Sequence, residues 1–238
     1  MRLDKYLVEN NFVENRSKAL NLIRENLVLV NSLKAKKPGQ EVKEKDIVEI
    51  LEYQDFVSRS ARKLLYALEN FGIEDLKGVG LDVGASTGGF TQVLLDKGVS
   101  KVYALDVGDS QLHLSLKEDE RVFDLSPVNA RNPFELPEKV DVVTVDVSFI
   151  SNLKILPNII PNLNTQNQIF LLFKPQFEGQ KENINQSGVV KSQAYQRIFD
   201  EYKEKLRALN FEIINQIDSK VIGKKGNKEK ILQVTYLF

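Results

Sequence analysis

The sequence predicts an α/β protein in two parts: a small α+β segment, then a mostly parallel seven-stranded sheet covered by helices. Three features predict it. Short apolar runs at 79–83, 101–106, 121–124, 140–145 and 168–173 alternate with helical stretches, the pattern of a parallel sheet with crossover helices. The run from Leu81 to Thr91 (LDVGASTGGFT) passes from strand to glycine turn to helix start. The last two strand-like runs, Phe211 to Ser219 and Ile231 to Leu237, flank a loop rich in lysine and glycine and read as an antiparallel hairpin.

The totals narrow the function classes. The 238 residues, 42% hydrophobic and 28% charged, suit a small unit plus a medium one. Zero cysteines exclude disulfides, cysteine metal sites and cysteine nucleophiles. With His113 as the one histidine, a transition-metal site is not expected, and His113 reads as solvated surface. The longest apolar runs, such as Ile169 to Phe173, are strand-length, so no membrane span is expected. The first residues lack the apolar core of a signal peptide, and the cytoplasm is the expected compartment. Lys plus Arg (33) balances Asp plus Glu (33), so only local clustering speaks of partners. Residues 220–230 carry five lysines against one acid, and Arg59, Arg62 and Lys63 fall together at a helix start. A solvated face accounts for either run taken alone.

In order along the chain, Leu3, Leu7 and Val8 mark a short amphipathic helix, and Ser17 is placed to cap a second with Leu20, Ile23 and Leu27 at helical spacing. Strand-like pieces follow at Leu27 to Val30, Glu41-Val42 and Ile47 to Leu51, with a break at residues 37–39 (KPG). Arg2, Lys5, Arg16 and Lys18 lie at or near the two helix N-termini, where a cation works against the helix dipole. That makes a purely structural role unattractive and a common anion-binding surface the better reading. Arg2 to Val8, Asn15 to Ile23, Leu29-Val-Asn31 and Lys37-Pro38 together resemble the small S4-like RNA-binding domain found in a ribosomal protein and in RNA-modifying enzymes. One departure is Val30-Asn31-Ser32 in place of the usual Val-Asn-Gly turn.

Beyond the linker, Ser58 is placed to cap a helix whose stripe Leu64, Leu68 and Phe71 ends at Gly72. The strand at 79–83, the loop Gly84 to Gly89, a helix and a second strand ending in Asp106 form a nucleotide-binding crossover unit. There the distal carboxylate bonds ribose hydroxyls. A dinucleotide site wants Gly-x-Gly-x-x-Gly aimed at a pyrophosphate. Asp82 at the mouth of this loop would repel a pyrophosphate but suits a ligand with a cationic end, such as S-adenosylmethionine. A parallel sheet closed by an antiparallel strand, the layout of methyltransferases that use it, supports that cofactor.

Four polar residues stand out by position: Lys63 in the first turns of its helix, Asp146 after Val142–Val145, Lys174 after Ile169–Phe173, and Glu229 before the last strand. A lysine directly after a buried strand is costly unless paired or functional, and two lysines and two acids arriving at one sheet edge could form that pairing. Strand-end solvation accounts for Asp146 or Lys174 taken alone.

The chain resembles the TlyA (haemolysin A) family, ribosomal-RNA 2′-O-methyltransferases with an FtsJ-like, Rossmann-like class I catalytic domain. The resemblance rests on Val57-Ser-Arg59 with Lys63-Leu64, Leu81 to Thr91, Ala104 to Gly108 with Gln111-Leu112, and Asn129-Ala-Arg131. It continues through Val145 to Ser151, Lys174 to Glu178, Gly188-Val-Val190 and Gly226-Asn227-x-Glu229. It implies an S4-like domain over 1–53, a linker over 54–58 and a methyltransferase domain over 59–238. It carries the family's Lys-Asp-Lys-Glu tetrad onto Lys63, Asp146, Lys174 and Glu229. Cofactor contacts are then expected from Asp82, Gly84, Ala85, Ser86, Thr87, Gly88, Gly89, Phe90, Asp106, Val107, Asn129 and Asp146. RNA contacts are expected from Arg2, Lys5, Arg16, Lys18, Arg59 and Arg62. Departures are Ser60-Ala61 after Ser-Arg, Ser126-Pro127-Val128 before Asn129, and Gln54-Asp-Phe56-Val57 in the linker.

The resemblance implies methylation of cytidine riboses of 23S rRNA in 50S particles, or of the RNA of both subunits; a monomer is expected. A ribose 2′-hydroxyl is a poor nucleophile, so alignment and relief of developing alkoxide charge are needed. Lys174 is the central residue, as base or as alkoxide stabiliser, with Asp146 holding it and Lys63 and Glu229 orienting the ribose and the ammonium. Cytosine C5 methylation needs a cysteine that is absent, and the exocyclic-amine pattern Asn/Asp-Pro-Pro-aromatic is replaced by Asp146-Val-Ser-Phe149. Two other classes compete. A membrane-lysing protein would need a span or a strongly amphipathic basic helix, and the sequence has neither. A non-catalytic RNA-binding factor leaves the intact glycine loop and tetrad unexplained.

Overall fold

A computed structural model of the chain describes residues 1–24, 26–51, 56–221, 223 and 225–238. It divides into two compact units, Met1–Asp55 and Phe56–Phe238. The expected boundary at 53 and residues 54 and 55 of the linker lie outside the described residues, and Phe56 to Ser58 group with the second unit.

In the first unit α1 (Leu3–Glu9) and α2 (Arg16–Arg24) accompany a three-stranded antiparallel sheet of β1 (Val28–Val30), β2 (Leu33–Lys34) and β3 (Val48–Ile50), in the order β2-β1-β3. Leu3, Leu7, Ala19, Leu22, Ile23 and Val28 belong to one core. Full burial of one such large aliphatic chain contributes about 1.5–3 kcal/mol. Two expectations fail here. Asn15, not Ser17, caps α2, its Oδ1 accepting the Lys18 N–H at 2.9 Å. Glu41-Val42 forms no strand, only an isolated bridge from Glu41 to Arg2, because its backbone pairs with the first residues of the chain. Arg2 and Arg16 also carry a structural role, which the dipole argument made less attractive. Both guanidiniums bind the fully buried Asp4 carboxylate, at 3.0 and 2.8 Å, so an acid in the first turn of α1 offsets the cations that the dipole opposes. The Arg2 hydrogen bonds, with Arg16 adding to them, hold the Asp4 carboxyl well below the usual carboxylate range against the opposing effect of burial.

Between β1 and β2 the turn residues Asn31 and Ser32 have φ of 54° and 63°. Val30 pairs with Leu33, so this is a two-residue hairpin with both central residues left-handed, the type I′ turn that normally takes glycine second.

The second unit is a seven-stranded sheet in the order β6-β5-β4-β7-β8-β10-β9. After α3 (Ala61–Asn70) come β4 (Val79–Val83), α4 (Gly89–Asp96), β5 (Lys101–Leu105), α5 (Leu114–Lys117), β6 (Val122–Asp124) and β7 (Val140–Val145). Then follow α6 (Leu156–Ile159), β8 (Leu163–Phe173), α7 (Pro175–Glu178), α8 (Ser192–Ala208), β9 (Phe211–Asp218) and β10 (Lys230–Tyr236). Strands β4 to β8 are mutually parallel, and β10 runs antiparallel to both β8 and β9. Strand alternation sorts the core into two layers. Ile169, Leu171 and Phe173 join the cluster that holds α6 and α8, while Phe170 and Leu172 join the one that holds α3 and α4.

The order of strands reverses between β4 and β7, so a crevice opens beyond their carboxyl ends. β8 begins at Leu163 rather than at the expected 168, because Leu163 already pairs with Val140 of β7; in this polar first half the Asn167 side chain also holds the Tyr236 carbonyl and its N–H. Ser58 does not cap α3 directly. Its Oγ accepts the Ser60 N–H, and the helix begins at Ala61. His113 is exposed and caps α5 by accepting the Ser115 N–H at 3.3 Å. Among the described residues no helix is long and apolar enough to cross a membrane.

Candidate active site

A cavity of about 570 Å³ opens at the carboxyl edge of the sheet. Lys63, Asp146, Lys174 and Glu229 all line it. Each arrives by a separate route. Lys63 lies in the first turn of α3; Asp146 and Lys174 directly follow β7 and β8, and Pro175 starts α7 straight after Lys174. Glu229 precedes β10, which runs antiparallel to β8 with Lys230 opposite Phe173, so Glu229 reaches the same edge as Lys174.

The four form two ion pairs. The Lys63 Nζ donates to Glu229 Oε2 at 2.6 Å, and the Lys174 Nζ stands 2.6 Å from Asp146 Oδ1 while donating to Ser148 Oγ at 3.0 Å. Lys174 is 8% and Glu229 4% exposed, so each charge depends on its partner to offset a desolvation cost of several kcal/mol. The arrangement presents ammonium donors on the cavity wall, suited to stabilising an oxyanion.

Gly84, Ala85 and Ser86 of the glycine loop and Phe90 at the start of α4 line the same cavity. Gly84 has φ +85° and a Cβ there would lie 2.6 Å from the Asp146 carbonyl oxygen, so the loop passes β7 only as glycine. The Ser86 N–H donates to Asp106 Oδ2 at 2.9 Å, and the Gly108 N–H donates to Oδ1, which fixes the acid beside the loop. Ser126 and Val128, where the sequence departs from the family, bind the Asp106 backbone.

The remaining expected residues fall elsewhere. Asp82 is the clearest correction, because it lies inside β4 rather than at a loop mouth and is fully buried. The Thr91 N–H and hydroxyl donate to its Oδ2 at 2.9 and 2.7 Å, and the Thr144 hydroxyl to Oδ1 at 2.8 Å. Burial pushes its carboxyl up to about 6 against the pull of those threonines. Strand alternation turns Asp82 away from the Leu81 and Val83 side, and it ties β4 to α4 and β7 instead of facing a ligand. Thr87, Gly88, Gly89, Asp106, Val107 and Asn129 do not line the cavity; Val107 and Asn129 are exposed. Arg59 lines the cavity and Arg62 is half-buried outside it. Arg2, Lys5, Arg16 and Lys18 belong to the first unit, with Lys5 and Lys18 paired to Glu9 and Glu14. Of the basic run 220–230, Lys225 lines the cavity, and residues 222 and 224 lie outside the described residues.

Three further lining residues were not singled out by the sequence, although they fall inside segments that carry the resemblance. Ser148 is the second partner of Lys174. Phe149 is 90% exposed with φ +66°, a left-handed conformation that costs a residue with a β-carbon about 1–2 kcal/mol, and its ring lies 5.4 Å from that of Phe177. Gln176 stands between Pro175 and Phe177 on α7, and its Oε1 is buried with no partner among the described residues. Neither period nor charge pattern marks a serine, a phenylalanine or a glutamine just beyond a strand.

Comparison with known proteins identifies the family of each unit. Residues 56–236 match the FtsJ-like methyltransferase family and residues 1–48 the S4 domain. The chain is 37% identical over 236 residues to hemolysin A of Brachyspira hyodysenteriae, covering 96% of this chain and 97% of that one. It is 40% identical over 193 residues to the 16S/23S rRNA (cytidine-2′-O)-methyltransferase TlyA of Mycobacterium tuberculosis, covering 79% and 72%. A solved structure of a Streptococcus thermophilus protein described as a hemolysin superposes with a TM-score of 0.75 at 30% identity, covering 100% of this chain and 88% of that one.

Proposed function

The chain belongs to the FtsJ-like methyltransferase family, in its S4-bearing TlyA/haemolysin A branch, and we propose that it methylates the ribose 2′-hydroxyl of a cytidine in ribosomal RNA. The observation that carries this reading is the convergence of two lysine–carboxylate pairs and a glycine loop on one cavity.

The cofactor of this family is S-adenosylmethionine, whose sulfonium supplies an electrophilic methyl group. The residues fit it. A glycine cradle that a Cβ would fill adjoins Asp106, a carboxylate of the kind that bonds ribose hydroxyls. Gly84, Ala85, Ser86 and Phe90 would hold the cofactor together with Asp106, and Asp146 stands where the loop meets the tetrad. Asp82 acts behind this loop as a strut.

Lys174 is the group that meets the 2′-oxygen. Asp146 and Ser148 fix its Nζ, so it is aimed before the acceptor arrives. It either takes the hydroxyl proton or donates to the developing alkoxide while that proton leaves to solvent. Lys63 and Glu229 hold one another and orient the ribose. Phe149 offers an exposed ring at the cavity, a surface for an unstacked base. Arg2, Lys5, Arg16 and Lys18 of the S4-like unit, with Arg59 and Arg62, contact phosphates. Arg2 and Arg16 stay more than half exposed while bound to Asp4, so their outer edges can still meet RNA. We place the protein in the cytoplasm, where its ribosomal substrate resides, as a monomer acting on 50S particles with the 30S RNA as a second acceptor. Tritiated methyl transfer into separate 30S and 50S particles, followed by primer extension at low nucleotide concentration, tests this reading. Incorporation into neither particle refutes it.

A further inference from the structure

We propose that Glu178 is a positioning residue for the acceptor nucleotide: it binds the chain just beyond Phe149 and so holds that ring at the cavity. This rests on the cytidine 2′-O-methylation reading. Glu178 ends α7, does not line the cavity and takes no part in the two lysine–carboxylate pairs. Its carboxylate meets the β7–α6 connection instead. Oε2 accepts the Ser151 hydroxyl, and Oε1 accepts the Asn152 N–H at 2.9 Å. Burial raises its carboxyl, and those two bonds oppose the shift, with Lys205 and Lys154 adding to them. An apolar side chain in its place would leave the Asn152 N–H without this acceptor.

Phe149 needs such an anchor. Its φ of +66° is left-handed, a strained state that persists only where the surroundings over-determine it. The ring is exposed and lies 5.4 Å from that of Phe177, so most of the restraint has to come through the chain. Before Phe149 the chain is fixed at Asp146 and Ser148, which both meet the Lys174 Nζ. After it the fixed points are Ser151 and Asn152, two and three residues on, where Glu178 binds. Phe177 and Glu178 are neighbours on α7, so one helix end meets the connection twice, by a ring on the cavity side and by a carboxylate behind it. The fold does not hang on the carboxylate alone. The buried Asn152 side chain also donates to the Leu172 carbonyl at 3.1 Å, which ties the connection to β8 independently. Without Glu178 the connection stays docked, while Phe149 is free to leave its left-handed state. The apparent affinity for the acceptor then falls with the fraction of molecules that keep the ring in place.

The test uses wild type, Glu178→Ala, Glu178→Gln, Phe149→Ala and the double variant Glu178→Ala/Phe149→Ala. Steady-state kcat and KM are measured on 30S and 50S particles, and S-adenosylmethionine affinity by calorimetry. Glu178→Ala should raise KM for the accepting particle by about tenfold, with kcat and cofactor affinity within about twofold of wild type. Phe149→Ala should raise KM at least as much. Glu178→Gln, whose amide can accept the Asn152 N–H and donate to Ser151 Oγ, should restore the wild-type KM. The double variant should match Phe149→Ala within about twofold, because Glu178 acts through that ring. A carboxylate that only supported the fold would lower cofactor affinity and thermal midpoint together, and its effect would multiply with that of Phe149→Ala. That pattern overturns the proposal, as does an unchanged KM in Glu178→Ala. Glu178→Gln as impaired as Glu178→Ala overturns it too, since the charge rather than the two bonds would then matter. If Glu178→Ala does not fold, Ser151→Ala, which deletes the loop end of one bond, takes its place in the same cycle. A wild type that methylates neither particle brings down the function reading and this proposal with it; active enzymes with an unchanged KM bring down only the role of Glu178.

Discussion

The Lys174 Nζ lies 2.6 Å from Asp146 Oδ1, an ion pair joining the ends of two adjacent parallel strands. Both residues stand one position past the last residue of their strand, so the sheet itself sets their separation. A preorganised donor of this kind does not reorganise when alkoxide charge develops.

Lys174→Ala should lower kcat for methyl transfer by about 10²–10⁴-fold, with cofactor and RNA binding near wild type. Single-turnover transfer into ribosomal particles measures it. Lys174→Arg separates the two chemistries, because arginine keeps the charge and cannot act as a base. Substantial activity in that variant points to electrostatic stabilisation, and none points to proton abstraction. Full activity in Lys174→Ala removes the residue from the mechanism.

Asp82 should make the stability of the second unit depend on pH. Its folded-state pKa of about 6 lies above the ordinary carboxylate value, so folding favours the protonated form. Stability should therefore fall as pH rises from about 4 to about 6, by at most about 3 kcal/mol. Asp82→Asn keeps the shape and should flatten urea-unfolding stability across that window. Asp82→Ala strands the Thr91 N–H and two hydroxyls and should cost about 2–4 kcal/mol. An Asp82→Asn variant with the wild-type pH dependence would show that another group is responsible.

Asp4 acts with the opposite sign. Its carboxyl is held low by Arg2 and Arg16, so its stabilising effect is full above about pH 4 and is lost as pH falls toward the folded-state value. Asp4→Asn should remove this acid sensitivity from the first unit, and Asp4→Ala should destabilise it by about 2 kcal/mol. Hydrogen exchange of α1 and α2 in the full chain, followed from neutral to acid pH, gives the comparison. Equal protection in wild type and Asp4→Ala would contradict the pairing.

The Asn31-Ser32 turn predicts a gain. Ser32→Gly relieves a left-handed residue at φ 63° and should stabilise the hairpin by about 0.5–1 kcal/mol. A raised midpoint in thermal unfolding of the first unit is the expected readout. A lowered one would mean that the serine side chain contributes more than its strain costs.

The runs Val79–Val83 and Val140–Val145 are strands at their expected bounds, because short apolar segments between turns have few alternatives. The strand-end positions of Asp106, Asp146 and Lys174 follow from the same kind of run, so both the sheet and the polar residues at its edge were readable along the chain. Asp82 was not. A motif read along the chain records that an acid precedes a glycine loop, whereas the two-residue period of a packed strand chooses the face it takes. Arg2 and Arg16 were readable as charges, but the carboxylate buried between them became visible only once two helices packed together. The pairing of Lys63 with Glu229, and the Gln176 oxygen without a partner among the described residues, are of the same kind. Local pattern and propensity act between near neighbours and are written in the residue order. Ion pairing and desolvation act between groups far apart in the chain, and they exist only after the fold has closed around them.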